Sequence, residues 1–119
     1  MLSQSHDQSF VASVVDLMQS VGPVSARRMF GGHGLFLDGL MIALVSQGTL
    51  YLKTDQSSAA EFFDLGLESF TYTRKGKICS LSYVQAPEEV LDNTEEMLEW
   101  GNKAYSAALR AASKKRKKG

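Results

Sequence analysis

The stretch Val24–Lys53, VSARRMFGGHGLFLDGLMIALVSQGTLYLK, decides the fold. Strand-like runs at 24–30, 34–37, 40–46 and 49–53 are parted by Gly31-Gly32, Asp38-Gly39 and Gln47-Gly48. These pairs tolerate the positive φ that a two-residue hairpin turn demands, and strands joined by such turns must run antiparallel. The stretch therefore predicts a meander.

Working outward, the period changes on both sides. Phe10, Val11, Val14, Val15, Leu17, Met18 and Val21 recur at three- and four-residue steps, which predicts an amphipathic helix over 8–21 with Ser5 or Asp7 as cap and Gly22-Pro23 as stop. On the other side, Ala60, Phe62, Phe63 and Leu65 predict a short helix over 57–66, with Ser57 or Ser58 able to cap it and Gly66 ending it. Two further strands, 70–74 and 78–84, flank Lys75-Gly76-Lys77. Ala86-Pro87-Glu88-Glu89 opens a helical turn, and a longer helix follows, with Asn93 or Thr94 as its cap. Its apolar stripe includes Met97, Trp100, Ala104, Tyr105, Ala108 and Ala112. Gly101 inside it signals either a close approach near Trp100 or a tolerated loss of helix propensity. The order is α-β4-α-β2-α, an α+β two-layer domain in which helices cover one face of an antiparallel sheet of about six strands.

The chain has 119 residues, 44% of them hydrophobic, which suits one domain over 1–113 followed by a basic flexible tail over 114–119. Lys114, Lys115, Arg116, Lys117 and Lys118 account for five of the 13 basic residues. The eight that remain face 13 acidic ones, so a formal charge of zero hides an acidic body and a basic end. Such a block binds polyanions by counterion release or simply stays solvated. Cys79 is the sole cysteine, which rules out an intrachain disulfide and a cysteine-built zinc or iron-sulfur site. No run is apolar enough to cross a membrane, and the first ten residues lack the pattern of a signal peptide, so the expectation is a soluble cytoplasmic protein with no membrane partner.

Chemistry-bearing patterns are sparse. Arg27-Arg28-Met29-Phe30-Gly31-Gly32-His33-Gly34 could cradle an anion, but strand pattern follows the glycines where a phosphate loop would open a helix, so a tight strand connection is the better reading. His6 and His33 have no carboxylate or cysteine at ligand spacing, and no Gly-x-Ser-x-Gly elbow occurs. The expectation is no catalytic residue, no metal and no cofactor. Arg74-Lys75-Gly76-Lys77 forms a basic hairpin tip, and Arg27 with Arg28 extends the same charge.

Several motifs occur together: RRMFGGHGLF at 27–36, LYLKTD at 50–55, FTYTRKGK at 70–77, Ser82-Tyr83, and APEE at 86–89. Together they resemble the TfoX N-terminal domain family, also called Sxy, from about Val14 to Ala108. The resemblance implies a regulatory, non-enzymatic protein associated with competence gene expression, a transcriptional coactivator alongside the cyclic-AMP receptor protein. Full-length family members carry a C-terminal helical domain similar to helix-hairpin-helix DNA binders, and the basic block stands where it would begin, so the resemblance is to the stand-alone N-domain form. The matching positions are Arg27, Arg28, Met29, Phe30, Gly31, Gly32, Gly34, Tyr51, Lys53, Asp55, Tyr72, Lys75, Gly76, Lys77 and Tyr83. Met29, Phe30, Tyr51 and Tyr83 suit packing, whereas Arg28, Lys53, Arg74 and Lys77 are charges suited to contact. The leading expectation is a module that contacts a protein of the transcription machinery or its regulators. Nucleic-acid contact would come through hairpin and tail, and a homodimer is compatible. The alternative is a small-molecule or anion-binding protein, or an enzyme, that uses Arg28, Gly31, Gly32 and Lys53.

Overall fold

Two-residue turns in left-handed conformation build the sheet. Asp38-Gly39, Gln47-Gly48 and Lys75-Gly76 all have φ between 49° and 78° at both residues, the pairing that matches the twist of the flanking strands. The computed structural model describes residues 2–29 and 31–118, with side chains over 8–29 and 31–115. Phe30 and the side chains of Arg116, Lys117 and Lys118 lie outside the described residues.

The elements run α1 (Leu2–Met18), β1 (Ser25–Met29), β2 (Gly32–Leu37), β3 (Leu40–Ser46), β4 (Thr49–Lys53), α2 (Ala59–Phe63), β5 (Ser69–Arg74), β6 (Lys77–Gln85), a 3-10 turn (Glu88–Leu91) and α3 (Thr94–Lys118). All strand pairs are antiparallel, so the α+β class with a single six-stranded sheet is as expected. β1 to β4 form the meander. The last hairpin then joins through its second strand, giving the order β1-β2-β3-β4-β6-β5. β6 takes the inner place because Tyr83 and Val84 bury opposite faces of it, whereas β5 is largely exposed beyond Phe70.

One face of the sheet is covered by helices. Val11, Val14 and Met18 of α1, Phe62 of α2, and Met97, Trp100, Ala104 and Ala108 of α3 close on Leu35, Ile42, Leu52 and Val84. Phe62 meets Trp100 edge to face, with centroids 5.1 Å apart. Ile42 joins this face through an irregularity in the β2–β3 pairing, which places Ile42 and Ala43 on the same side. Gly101 is explained by close approach: a Cβ there would stand 2.6 Å from a methyl of Val21, just beyond α1.

Helix ends meet expectation at the start of α3 and depart from it elsewhere. Asn93 caps α3, its Oδ1 accepting the backbone N–H groups of Glu95 and Glu96 at 2.9 and 3.2 Å. The turn before α2 is closed by the Asp55 carboxylate, which accepts from the N–H groups of Ser57 and Ser58. Neither expected serine caps α2, since the nearby carboxylate is the stronger acceptor. α1 starts at Leu2, ahead of Ser5 and Asp7, and Gln19 ties off its end by donating from Nε2 to the carbonyls of Val15 and Val24. α3 continues through the basic block to Lys118, where the expected boundary of the domain is 113.

Candidate functional site: the open face of the sheet

Strand alternation sends every second side chain away from the helices, and these form a second cluster. Leu44, Phe70 and Tyr83 are buried there, with Met41, Tyr51, Tyr72 and Leu81 packed around them, and no helical side chain among the described residues takes part. Phe70 meets the edge of Tyr51 at 5.2 Å and stacks with Tyr72 at 6.2 Å. The Tyr83 hydroxyl donates to the Met41 carbonyl at 2.9 Å, laying its ring along the sheet, and burial pushes this phenol up to about 12. Near β1, the Met29 and Met41 sulfurs close over Gly34, where a Cβ would fall 2.5 and 3.0 Å from them.

Cations border this cluster. The Arg27 guanidinium lies 4.9 Å from the Phe36 ring centre, and the Lys53 ammonium lies 5.2 Å from that of Tyr83. Burial draws Lys53 below the usual lysine value, Asp55 opposes that, and the approach of Lys115 from α3 adds to it. Arg74 and Lys77 face each other across the exposed β5–β6 turn.

None of the six strands contains an aspartate or glutamate, although they carry Arg27, Arg28, Lys53, Arg74 and Lys77. All 13 acidic residues therefore sit in helices and connections. The ion pairs among the described residues belong to the helical layer: Lys103 with Glu61 at 2.9 Å, and Arg110 with Asp55 through Nε at 2.5 Å and Nη2 at 3.1 Å. The Arg110 guanidinium holds the Asp55 carboxyl well below the usual carboxylate range. The strand cations take part in neither pair.

The sequence-derived residues divide accordingly. Arg27, Met29, Gly34 and Lys53 contribute to the open face, and Arg74, Lys75, Gly76 and Lys77 form the exposed hairpin tip. Arg28 pairs in register with His33 on edge strand β1, three strands from Lys53, so the proposed Arg28–Lys53 anion site is not assembled. Gly31 has φ +73° in the β1–β2 turn, and a Cβ on Gly32 would collide with the Val45 carbonyl. Tight connection and close strand approach thus account for both glycines. His33 keeps a buried, unpartnered Nδ1, and no group of three or more metal-ligating side chains converges among the described residues. A shallow groove between α2 and α3 is polar, but its Lys103, Glu61 and Arg110 are engaged in the ion pairs above. No helix of the described residues is long and apolar enough to cross a membrane.

Sequence reading missed Phe36, Met41, Phe70 and Tyr72 as members of one surface. Their signal was present in the alternation of large apolar residues on strands that lack any carboxylate.

The fold and this face define a small α+β domain whose antiparallel sheet is helix-covered on one side and cationic and aromatic on the other. The chain belongs to the TfoX N-terminal domain family, whose model matches residues 16–108. It is 34% identical over 73 residues to the DNA transformation protein TfoX1 of Aliivibrio fischeri, covering 61% of this chain and 35% of that protein. It is 26% identical over 98 residues to Protein Sxy of Escherichia coli, covering 82% of this chain and 47% of that protein. The chain thus spans between about a third and a half of the length of these relatives.

Proposed function

We propose that this chain is a non-enzymatic regulatory binding module of competence-type transcriptional control, working in the cytoplasm through protein contacts. The hairpin tip and the basic end of α3 add weak, salt-sensitive nucleic-acid contact. The observation that carries this reading is the segregation of charge within the sheet: its strands carry five cations and no carboxylate, and all 13 acidic residues lie in helices and connections. Such a sheet attracts an anionic partner to its open face. Family membership and the name of the Aliivibrio relative support the competence setting.

The test is a graft. Residues 16–108 replace the matching segment of TfoX1 in Aliivibrio fischeri, and transformation frequency is measured. Recovery of transformants is expected; a stably produced hybrid that yields none overturns the competence assignment. The nucleic-acid component is tested by anisotropy with duplex DNA at low and moderate salt, comparing the intact chain with one ending at Ser113. Deleting five cations should lower the salt slope by up to about 4.5. Absence of low-salt binding by the intact chain removes that component.

A further inference from the structure

The open face has more character than a generic docking surface, and its chemistry narrows the occupant. Resting on the reading of this chain as a protein-contacting module, we propose that the face between Arg27 and Lys53 receives an extended, acidic segment of a partner protein in which carboxylates alternate with aliphatic or aromatic side chains.

Three observations converge on that occupant. First, the apolar floor is only partly covered. Phe36, Met41, Tyr51 and Tyr72 remain half-buried above the fully buried Leu44, without helical cover. Methionine thioethers at 29 and 41 can reshape around incoming side chains. Second, Arg27 and Lys53 lie against rings and pair with no carboxylate among the described residues. Arg27 is exposed and Lys53 half-buried, and a partially desolvated cation such as Lys53 gains most from an anion that arrives with its own apolar surroundings. Third, the complete absence of acidic residues from the strands repels a second copy docking by the same face, because its own cations would meet their equivalents.

A nucleic-acid strand fits this face less well. Base stacking needs open ring platforms, whereas Phe36 and Tyr83 are each covered by a cation, and Phe70 is held between Tyr51 and Tyr72. Size also suits a peptide. Strands about 4.8 Å apart place β1, which carries Arg27, about 14 Å from β4, which carries Lys53, the span of about four extended residues.

The experiment uses the intact chain with 13C-methyl-labelled methionines and a fluorescein-tagged peptide that alternates Asp or Glu with Leu or Phe. The peptide should bind in a salt-sensitive manner and shift the Met29 and Met41 methyl signals, leaving those of Met18 and Met97 in the helix-covered core unmoved. Neutralising both cations, Arg27→Gln with Lys53→Gln, should weaken binding about 5-fold or more, and Lys103→Gln on the helical layer should leave it unchanged. The proposal is overturned by no binding, by equal binding of a peptide with lysine in place of the acids, by a double variant of unaltered affinity, or by shifts confined to Met18 and Met97. It is also overturned if oligothymidylate moves the Met29 and Met41 signals and displaces the peptide, which would assign the face to nucleic acid. Should the double variant fail to fold, the methyl map of the unaltered chain still decides. Failure here with transformants recovered in the graft rejects only the occupant; binding here without transformants keeps the surface and rejects the competence setting.

Discussion

The two faces of the sheet share strands but not chemistry. On the helix-covered face, Leu35, Ile42 and Leu52 are fully buried among aliphatic and aromatic side chains from all three helices. On the open face, Leu44 is equally dry, yet what covers it comes from the sheet: the rings of Tyr51, Phe70, Tyr72 and Tyr83 with Met41 and Leu81. A sheet face can thus be desolvated without helices when its own side chains are large enough to lie flat. The half-buried Met41, Tyr51 and Tyr72 above Leu44 then stay available to a partner. The covered face is built for stability, and the open one keeps a stable floor beneath an accessible layer.

The largest contrast comes from truncating one phenylalanine on each face. Phe62→Ala should cost about 3–5 kcal/mol in denaturant unfolding followed by Trp100 fluorescence, because Phe62 is enclosed on every side by the helix-covered core. Phe70→Ala should cost less, since solvent and the neighbouring rings can relax into the gap; an equal loss would break the distinction. Two glycines sharpen it next. Gly32→Ala drives a methyl into the Val45 backbone and should destabilise by about 3 kcal/mol, whereas Gly34→Ala presses on the Met29 and Met41 thioethers and the edge of the Phe36 ring, side chains that can shift, and should cost about 1 kcal/mol.

Titration separates the layers further. Tyr83→Phe removes the bond to the Met41 carbonyl, a loss of about 1 kcal/mol. Because the folded phenol titrates near 12 against about 10 when unfolded, native Tyr83 contributes stability that is intact below pH 10 and falls as pH rises toward 12. The phenylalanine variant should show a shallower alkaline decline in thermal melts. The smallest effect belongs to the helical layer. Arg110→Ala should cost under about 1 kcal/mol at neutral pH, as its partly exposed pair with Asp55 is screened by water. Asp55 titrates lower folded than unfolded, so its contribution is present above its unfolded value of 3.8 and is lost as pH falls below it. Acid melts of the variant should converge on those of the parent.

Much of the fold was legible because local chemistry dictates it. Asp38-Gly39, Gln47-Gly48 and Lys75-Gly76 announce their turns through the residues that accept positive φ, and the strand limits follow within a residue or two. The covered core was equally readable in the helical spacing of Val11, Val14 and Met18. The candidate site was legible only in pieces. Arg27, Lys53 and Arg74 could be named as charges, but Phe36 on β2, Met41 on β3 and Tyr83 on β6 are distant in the chain and meet only when the strands pair. The Arg28–Lys53 pairing failed for the same reason: separation across a sheet depends on strand order.

By itself the sequence determined the antiparallel hairpins, the amphipathic helices and the exclusion of carboxylates from the strands, all properties of neighbouring residues and of period two or 3.6. Only the tertiary structure decided that β6 lies inside and β5 at the edge, and that aromatic rings and cations from distant strands gather on the face opposite the helices. The reason is that these depend on long-range contacts, whose energies come from burial between segments that local propensity does not connect.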